Sequence, residues 1–83
     1  MENLKKPFRL LFTSEKCEPC RKVKDFLDEN GISYEETKND LKNINIKRLL
    51  DVNFFPTLMI FRNNKIVNKL IGINQIKEFY ERK

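Results

Sequence analysis

The chain has no histidine, only two cysteines and two glycines in 83 residues, and no apolar run of membrane-spanning length. Each shortage removes a class of protein. A structural zinc site takes four Cys, His or carboxylate ligands, so two cysteines without a histidine complete one only across a dimer or with carboxylates. No metal site is therefore expected. A membrane-spanning helix shows about 18 or more consecutive apolar residues. No window approaches that, so no membrane partner is expected. Met1-Glu2-Asn3-Leu4-Lys5-Lys6-Pro7 lacks the apolar segment of a secretory signal, which points to the cytoplasm. Linkers, repeats and low-complexity stretches are also missing, so residues 1–83 are read as a single domain.

What is present in quantity is charge and apolar surface. The formal net charge is +5, with 17 Lys and Arg against 12 Asp and Glu. A nucleic-acid interface needs those cations clustered, whereas here they are scattered from Lys5 to Lys83. The longest basic-rich run, Arg21-Lys22-Val23-Lys24, falls on a predicted helix. The expectation is a solvated, mildly basic surface and no nucleic-acid partner. Apolar content of 40%, with seven Phe, is enough for a small core.

Phe8-Arg9-Leu10-Leu11-Phe12 is a short, nearly continuous apolar run, as in a strand buried on both faces. The chain turns polar from Thr13 to Lys16, then changes period. Cys20, Val23, Phe26 and Leu27 make one apolar helical stripe, with Pro19 suited to the first turn. Asn30-Gly31 ends that helix, and Lys24 and Asp28 are placed to pair across one turn. Ile32 to Glu36 alternates apolar and polar, which predicts a second strand. Asp40 reads as a helix N-cap, and Leu41, Ile44, Leu49 and Leu50 predict a helix ending near Asp51-Val52-Asn53. Thr57 to Phe61 is the third strand, Arg62-Asn63-Asn64-Lys65 a tight hairpin, and Ile66 to Ile71 the fourth strand. Gly72 breaks the run, relieving a backbone constraint. Ile73, Ile76, Phe79 and Tyr80 predict a closing amphipathic helix with a basic end.

Both cysteines lie in Cys17-Glu18-Pro19-Cys20, where the first strand gives way to the first helix. Two thiols at this spacing read as a reversible dithiol/disulfide pair. A purely structural disulfide is a poor reading, because so small a loop removes little unfolded-state entropy and a cytosolic setting disfavours it.

With Cys-X-X-Cys in the first strand-to-helix loop, Phe55-Pro56-Thr57 opening the third strand, Asn63-Asn64-Lys65 at the hairpin and then Gly72, the sequence resembles thioredoxin-fold proteins. The resemblance runs from Phe8 to Tyr80. It implies an α/β thioredoxin fold in its minimal, glutaredoxin-like form: β-α-β-α-β-β-α, a four-stranded mixed sheet with helices on both faces. The length and the start on the active-site strand resemble glutaredoxins, while Phe55-Pro56-Thr57-Leu58-Met59-Ile60-Phe61 and the single Gly72 look more like thioredoxin. Leu11 and Lys16 stand where thioredoxins usually carry a buried acid and a Trp. Phe54-Phe55-Pro56 and Gly72-Ile73-Asn74-Gln75 stand where glutaredoxins usually carry Thr-Val-Pro and Gly-Gly with an acid, and they argue against a glutathione site.

Thiol exchange uses the thiolate. Cys17, at the helix N-terminus, gains from free backbone N–H groups and the helix dipole, with Lys16 and Lys22 adding positive charge and Glu18 opposing them. Cys17 is thus the expected nucleophile, and Cys20, on the core-facing stripe, the resolving thiol. The resemblance implies a cis Pro56, which leaves the backbone of Phe55 to pair with an extended substrate. Lys16, Glu18, Pro19, Phe55, Pro56 and Gly72 are the candidate substrate-binding residues. Phe54 and Phe61 are expected in or near the core, and Tyr34 and Tyr80 pack with wet hydroxyls.

The reading is a dithiol oxidoreductase and electron carrier serving cell redox homeostasis, a monomer that reduces disulfide-containing proteins. It needs no cofactor beyond its own redox-active disulfide, and a thioredoxin-reductase-type flavoprotein recharges it. The alternative enzyme is a glutathione-dependent glutaredoxin. The alternative of another class is a redox-inactive binding module or a dimer bridging an iron–sulfur cluster, against which Pro19 argues.

Overall fold

Apolar side chains on both faces make Phe8–Thr13 an inner strand, β1, in the computed structural model, which describes residues 7–38, 48 and 50–81. After it come α1 (Glu18–Glu29), β2 (Glu35–Lys38), β3 (Thr57–Arg62), β4 (Lys65–Ile71) and α2 (Gly72–Glu81). The strands form one mixed sheet in the order β2-β1-β3-β4. β1 runs parallel to β2, with Leu11 opposite Glu36, and antiparallel to β3, with Phe12 opposite Thr57. β3 and β4 form the expected hairpin, and its two turn residues, Asn63 and Asn64, have φ of 56° and 66°. Asn tolerates that left-handed backbone better than most residues.

Alternation along the strands divides the core in two. Leu11, Leu58, Ile60 and Leu70 face Val23 and Leu27 of α1 and Ile76 of α2. Phe12 and Met59 face the other way, onto Val52, with Leu50, Phe55 and Phe61 packed around them. The two described helices thus share one face. The helix expected from Asp40, with Leu41, Ile44 and Leu49, lies outside the described residues, as do Arg82 and Lys83 at the basic end of the last helix. Asp51, where that helix was expected to end, has φ +56°.

β2 begins at Glu35 rather than at Ile32. The Ile32 N–H is taken by the Leu27 carbonyl at the end of α1, at 2.9 Å, and the Ser33 carbonyl accepts from Arg9 Nη1 at 3.2 Å. The Ile32 N–H is therefore not left for the ladder, yet Ile32 and Tyr34 still pack on the α1 side of the sheet. Arg9 also donates through Nε to the Tyr80 hydroxyl at 2.9 Å, so that hydroxyl has a protein partner rather than water alone. Lys24 does not pair with Asp28; it reaches across to Glu36 of β2 at 3.2 Å.

Candidate active site

The register gathers four strand ends at one edge. Thr13 ends β1 beside Lys38, the end of β2; Thr57, the start of β3, lies beside Phe12 and opposite Ile71, the end of β4. The loops that leave these positions therefore meet. They carry the two cysteines, the Phe54-Phe55-Pro56 segment and Gly72.

Cys17 is the N-cap of α1, in extended backbone, and its Sγ accepts the Cys20 N–H at 3.2 Å. Its carbonyl accepts the Arg21 N–H at 3.3 Å. Pro19 sits in the first turn, where a residue without an N–H leaves no acceptor short of a donor. The two sulfurs are joined in a disulfide, with Cα atoms 5.2 Å apart. The pair is asymmetric in exposure: Cys17 is half-buried, and Cys20 is 2% exposed on the stripe it shares with Val23 and Leu27. Lys16, at φ +56°, closes the loop in front of Cys17. Glu18 and Pro19 are exposed on the first turn of α1.

On the other side of the dithiol the Phe55-Pro56 peptide is cis, and the Pro56 carbonyl accepts the Gly72 N–H at 2.8 Å. Gly72 has φ +86°, the conformation expected of it at the strand-to-helix corner. Thr57 Oγ1 donates to the Phe54 carbonyl at 2.7 Å and pins the loop. One of the two phenylalanines departs from expectation. Phe55 is half-buried against Phe12, Val52 and Met59, whereas Phe54, expected near the core, is 64% exposed. Phe55 fills the space under the loop, and the next side chain outward has none left.

An open cleft of about 210 Å³ lies on the α1 side of the dithiol. Its walls are Thr13 to Cys17 of the first loop, Cys20, Arg21 and Lys24 of α1, and Glu36 and Lys38 of β2. Lys16 is in this wall; Lys22, the other cation expected to act on Cys17, is not. Glu36 is the residue that sequence reasoning passed over. It accepts from Thr13 Oγ1 at 2.7 Å and from Lys24 Nζ at 3.2 Å. Burial alone pushes its carboxyl up, but the hydrogen bonds from Thr13 and Lys24 and the charges of Lys24 and Lys38 outweigh it, so the carboxyl titrates below its ordinary value. Its signal was present in the sequence: the alternation Ile32, Tyr34 extends to Glu36 and puts an exposed carboxylate on the α1 side of the sheet. The Tyr34 hydroxyl titrates above its ordinary value, first because of burial and then because of the charges of Asp28 and Glu36.

Among the described residues no group of three or more His, Cys, Asp or Glu side chains is placed to hold a metal ion, and no helix among them is long and apolar enough to cross a membrane. What the arrangement can do is exchange a dithiol for a disulfide at an edge open to another protein.

The family model for glutaredoxin matches residues 10–67 of the chain. No curated protein sequence matches it significantly. Among solved structures, the short form of thioredoxin f from spinach chloroplast superimposes with a TM-score of 0.81 at 18% identity, covering 92% of this chain and 72% of that one. The oxidised thioredoxin of Plasmodium falciparum gives 0.75 at 20% identity over 94% and 81% of the two chains. Fasciola hepatica thioredoxin gives 0.70 at 21% identity over 95% and 81%. At these identities the structures establish a shared thioredoxin fold.

Proposed function

The chain belongs to the glutaredoxin family and carries the dithiol of a thiol–disulfide oxidoreductase, and we propose that it works as a reductant of protein disulfides. The observation that carries this is the asymmetry of the pair: a half-buried Cys17 at the N-cap and a 2%-exposed Cys20 behind it. The Cys17 thiolate, favoured by the Cys20 N–H and the helix N-terminus, attacks one sulfur of the substrate disulfide. The other substrate sulfur leaves as a thiolate with the bonding electron pair and takes up a proton. Cys20 then gives up its proton and attacks Cys17 Sγ, releasing the second substrate thiol and forming the Cys17–Cys20 disulfide. Two electrons pass to the substrate, and an outside dithiol must return them.

In this reading Lys16, Glu18, Pro19, Phe55, Pro56 and Gly72 form the contact surface, with an extended substrate segment pairing with the Phe55 backbone. Phe54, from its exposure, joins them. The protein acts as a single-domain monomer in a reducing compartment such as the cytoplasm, recharged by a thioredoxin-reductase-type flavoprotein. Glutathione as the reductant is the second reading, favoured by the glutaredoxin match itself.

A Cys20→Ser variant tests the cycle, because it should accumulate a mixed disulfide through Cys17 with a disulfide-bearing protein. Failure to trap that adduct removes Cys20 as the resolving thiol. NADPH consumption with thioredoxin reductase, set against consumption with glutathione and its reductase, separates the two donors.

A further inference from the structure

Four cations that are spread along the sequence meet in space. Lys16 of the first loop, Arg21 and Lys24 of α1, and Lys38 at the end of β2 line the cleft that Cys17 and the buried Cys20 also border. Among the described residues of that wall the acids are Glu15 and Glu36, and Glu36 is held by Lys24. The described lining thus carries four cations against two acids, with Glu18 exposed beside Cys17 on the first turn of α1, and Lys16, Arg21 and Lys38 are exposed.

The topology makes this charge one-sided. In the order β2-β1-β3-β4 the dithiol loop leaves the end of β1, with Lys38 on the β2 flank and Phe54-Phe55-Pro56 on the β3 flank. One flank of Cys17 is cationic and the other is apolar, with Phe54 as its most exposed large side chain. A disulfide approaching Cys17 has to lie across both.

We propose that the preferred substrate of this dithiol is a protein disulfide flanked by acidic side chains, which dock in the cleft formed by Lys16, Arg21, Lys24 and Lys38. The proposal rests on the protein-disulfide reading above and names the substrate class it takes. A single exposed ion pair contributes little, but several like charges around one cleft steer the encounter and raise the on-rate by about tenfold or more at low salt. Selection therefore appears mainly in kcat/KM and fades as salt screens the cleft.

Three cystine peptides of equal length test it, with acidic, neutral or basic residues beside one half-cystine and dithiothreitol as the terminal reductant. The expected result is kcat/KM about tenfold higher for the acidic than for the neutral peptide at low salt, with the basic peptide slowest. The spread should collapse to within about twofold at high salt. The Arg21→Glu, Lys38→Glu double variant should reverse the order of the acidic and basic peptides, and a general change in thiol reactivity cannot do that because it moves all three together. Should the double variant not fold, Arg21→Gln alone and the salt series on the unaltered protein still decide. Equal rates for all three peptides, or a salt-independent spread, overturn the inference while leaving the dithiol reading intact. Faster turnover of oxidised glutathione than of the acidic peptide also overturns it. Reduction of none of the disulfides overturns both readings.

Discussion

Replacing Phe54 with alanine should leave the fold intact and weaken only the encounter with protein substrates. Phe54 is 64% exposed, whereas its neighbour Phe55 packs on Phe12, Val52 and Met59. A phenylalanine presents about 200 Å², so roughly 130 Å² of Phe54 faces solvent at the dithiol edge. A substrate that covers half of this removes about 65 Å² from water, worth about 1.5 kcal/mol at ~25 cal/mol/Å². That is about a tenfold rise in KM for a protein disulfide. Phe54→Ala should accordingly shift the urea midpoint by less than about 0.5 kcal/mol equivalent. Phe55→Ala, which opens a gap under the loop, should lose about 2–4 kcal/mol. The assay is turnover of a disulfide-bonded protein beside that of a small disulfide, with urea unfolding of each variant. The reasoning fails if Phe54→Ala changes KM for the protein substrate by less than twofold, or if it raises KM for both substrates alike.

Other outcomes follow from the packing and the electrostatics. Ile76→Ala, which empties a fully buried position between α2 and the sheet, should cost about 2–5 kcal/mol in urea unfolding. Gly72→Ala meets open space at its Cβ but must hold φ +86°, so it should lose about 1–2 kcal/mol with no steric clash; an unchanged midpoint would contradict that. Because the folded-state carboxyl of Glu36 titrates below its ordinary value, its stabilisation is present above the ordinary carboxylate range and is lost as pH falls through the lowered value. The effect is under about 1 kcal/mol at so accessible a site. Glu36→Gln should flatten that acidic limb in pH-dependent unfolding, and Thr13→Val should move it toward higher pH by removing the 2.7 Å hydrogen bond.

Much of the sheet was legible because each strand announced itself by local chemistry: the apolar run at Phe8–Phe12, the two asparagines at the hairpin, the glycine at residue 72. So was the dithiol, since Pro19 and the Cys20, Val23, Leu27 stripe fix which thiol faces the core. Pairwise choices across the sheet were not. Lys24 had Asp28 one turn away and took Glu36 from another strand, because β2 is parallel to β1 and Glu36 stands on the same side of the sheet as α1. The Phe54/Phe55 division also escaped, since two adjacent phenylalanines look alike until the space beneath the loop is known. Scattered cations became a cluster only when Lys38 at the end of β2 was brought beside the α1 terminus.

The helix that presents the dithiol has little freedom to follow it. Val23 and Leu27, one and two turns beyond the cysteines, have no exposed surface, and they are wedged against Leu11, Leu58 and Ile76. A packed interior resists sliding by even a methylene. Cys17 is thus anchored like a fixed electrode, and the angle at which a third sulfur lines up with a breaking bond is dictated from this side. Any bending needed for that alignment must come from the partner molecule, so disulfides in pliant loops should react ahead of equally accessible ones in rigid strands.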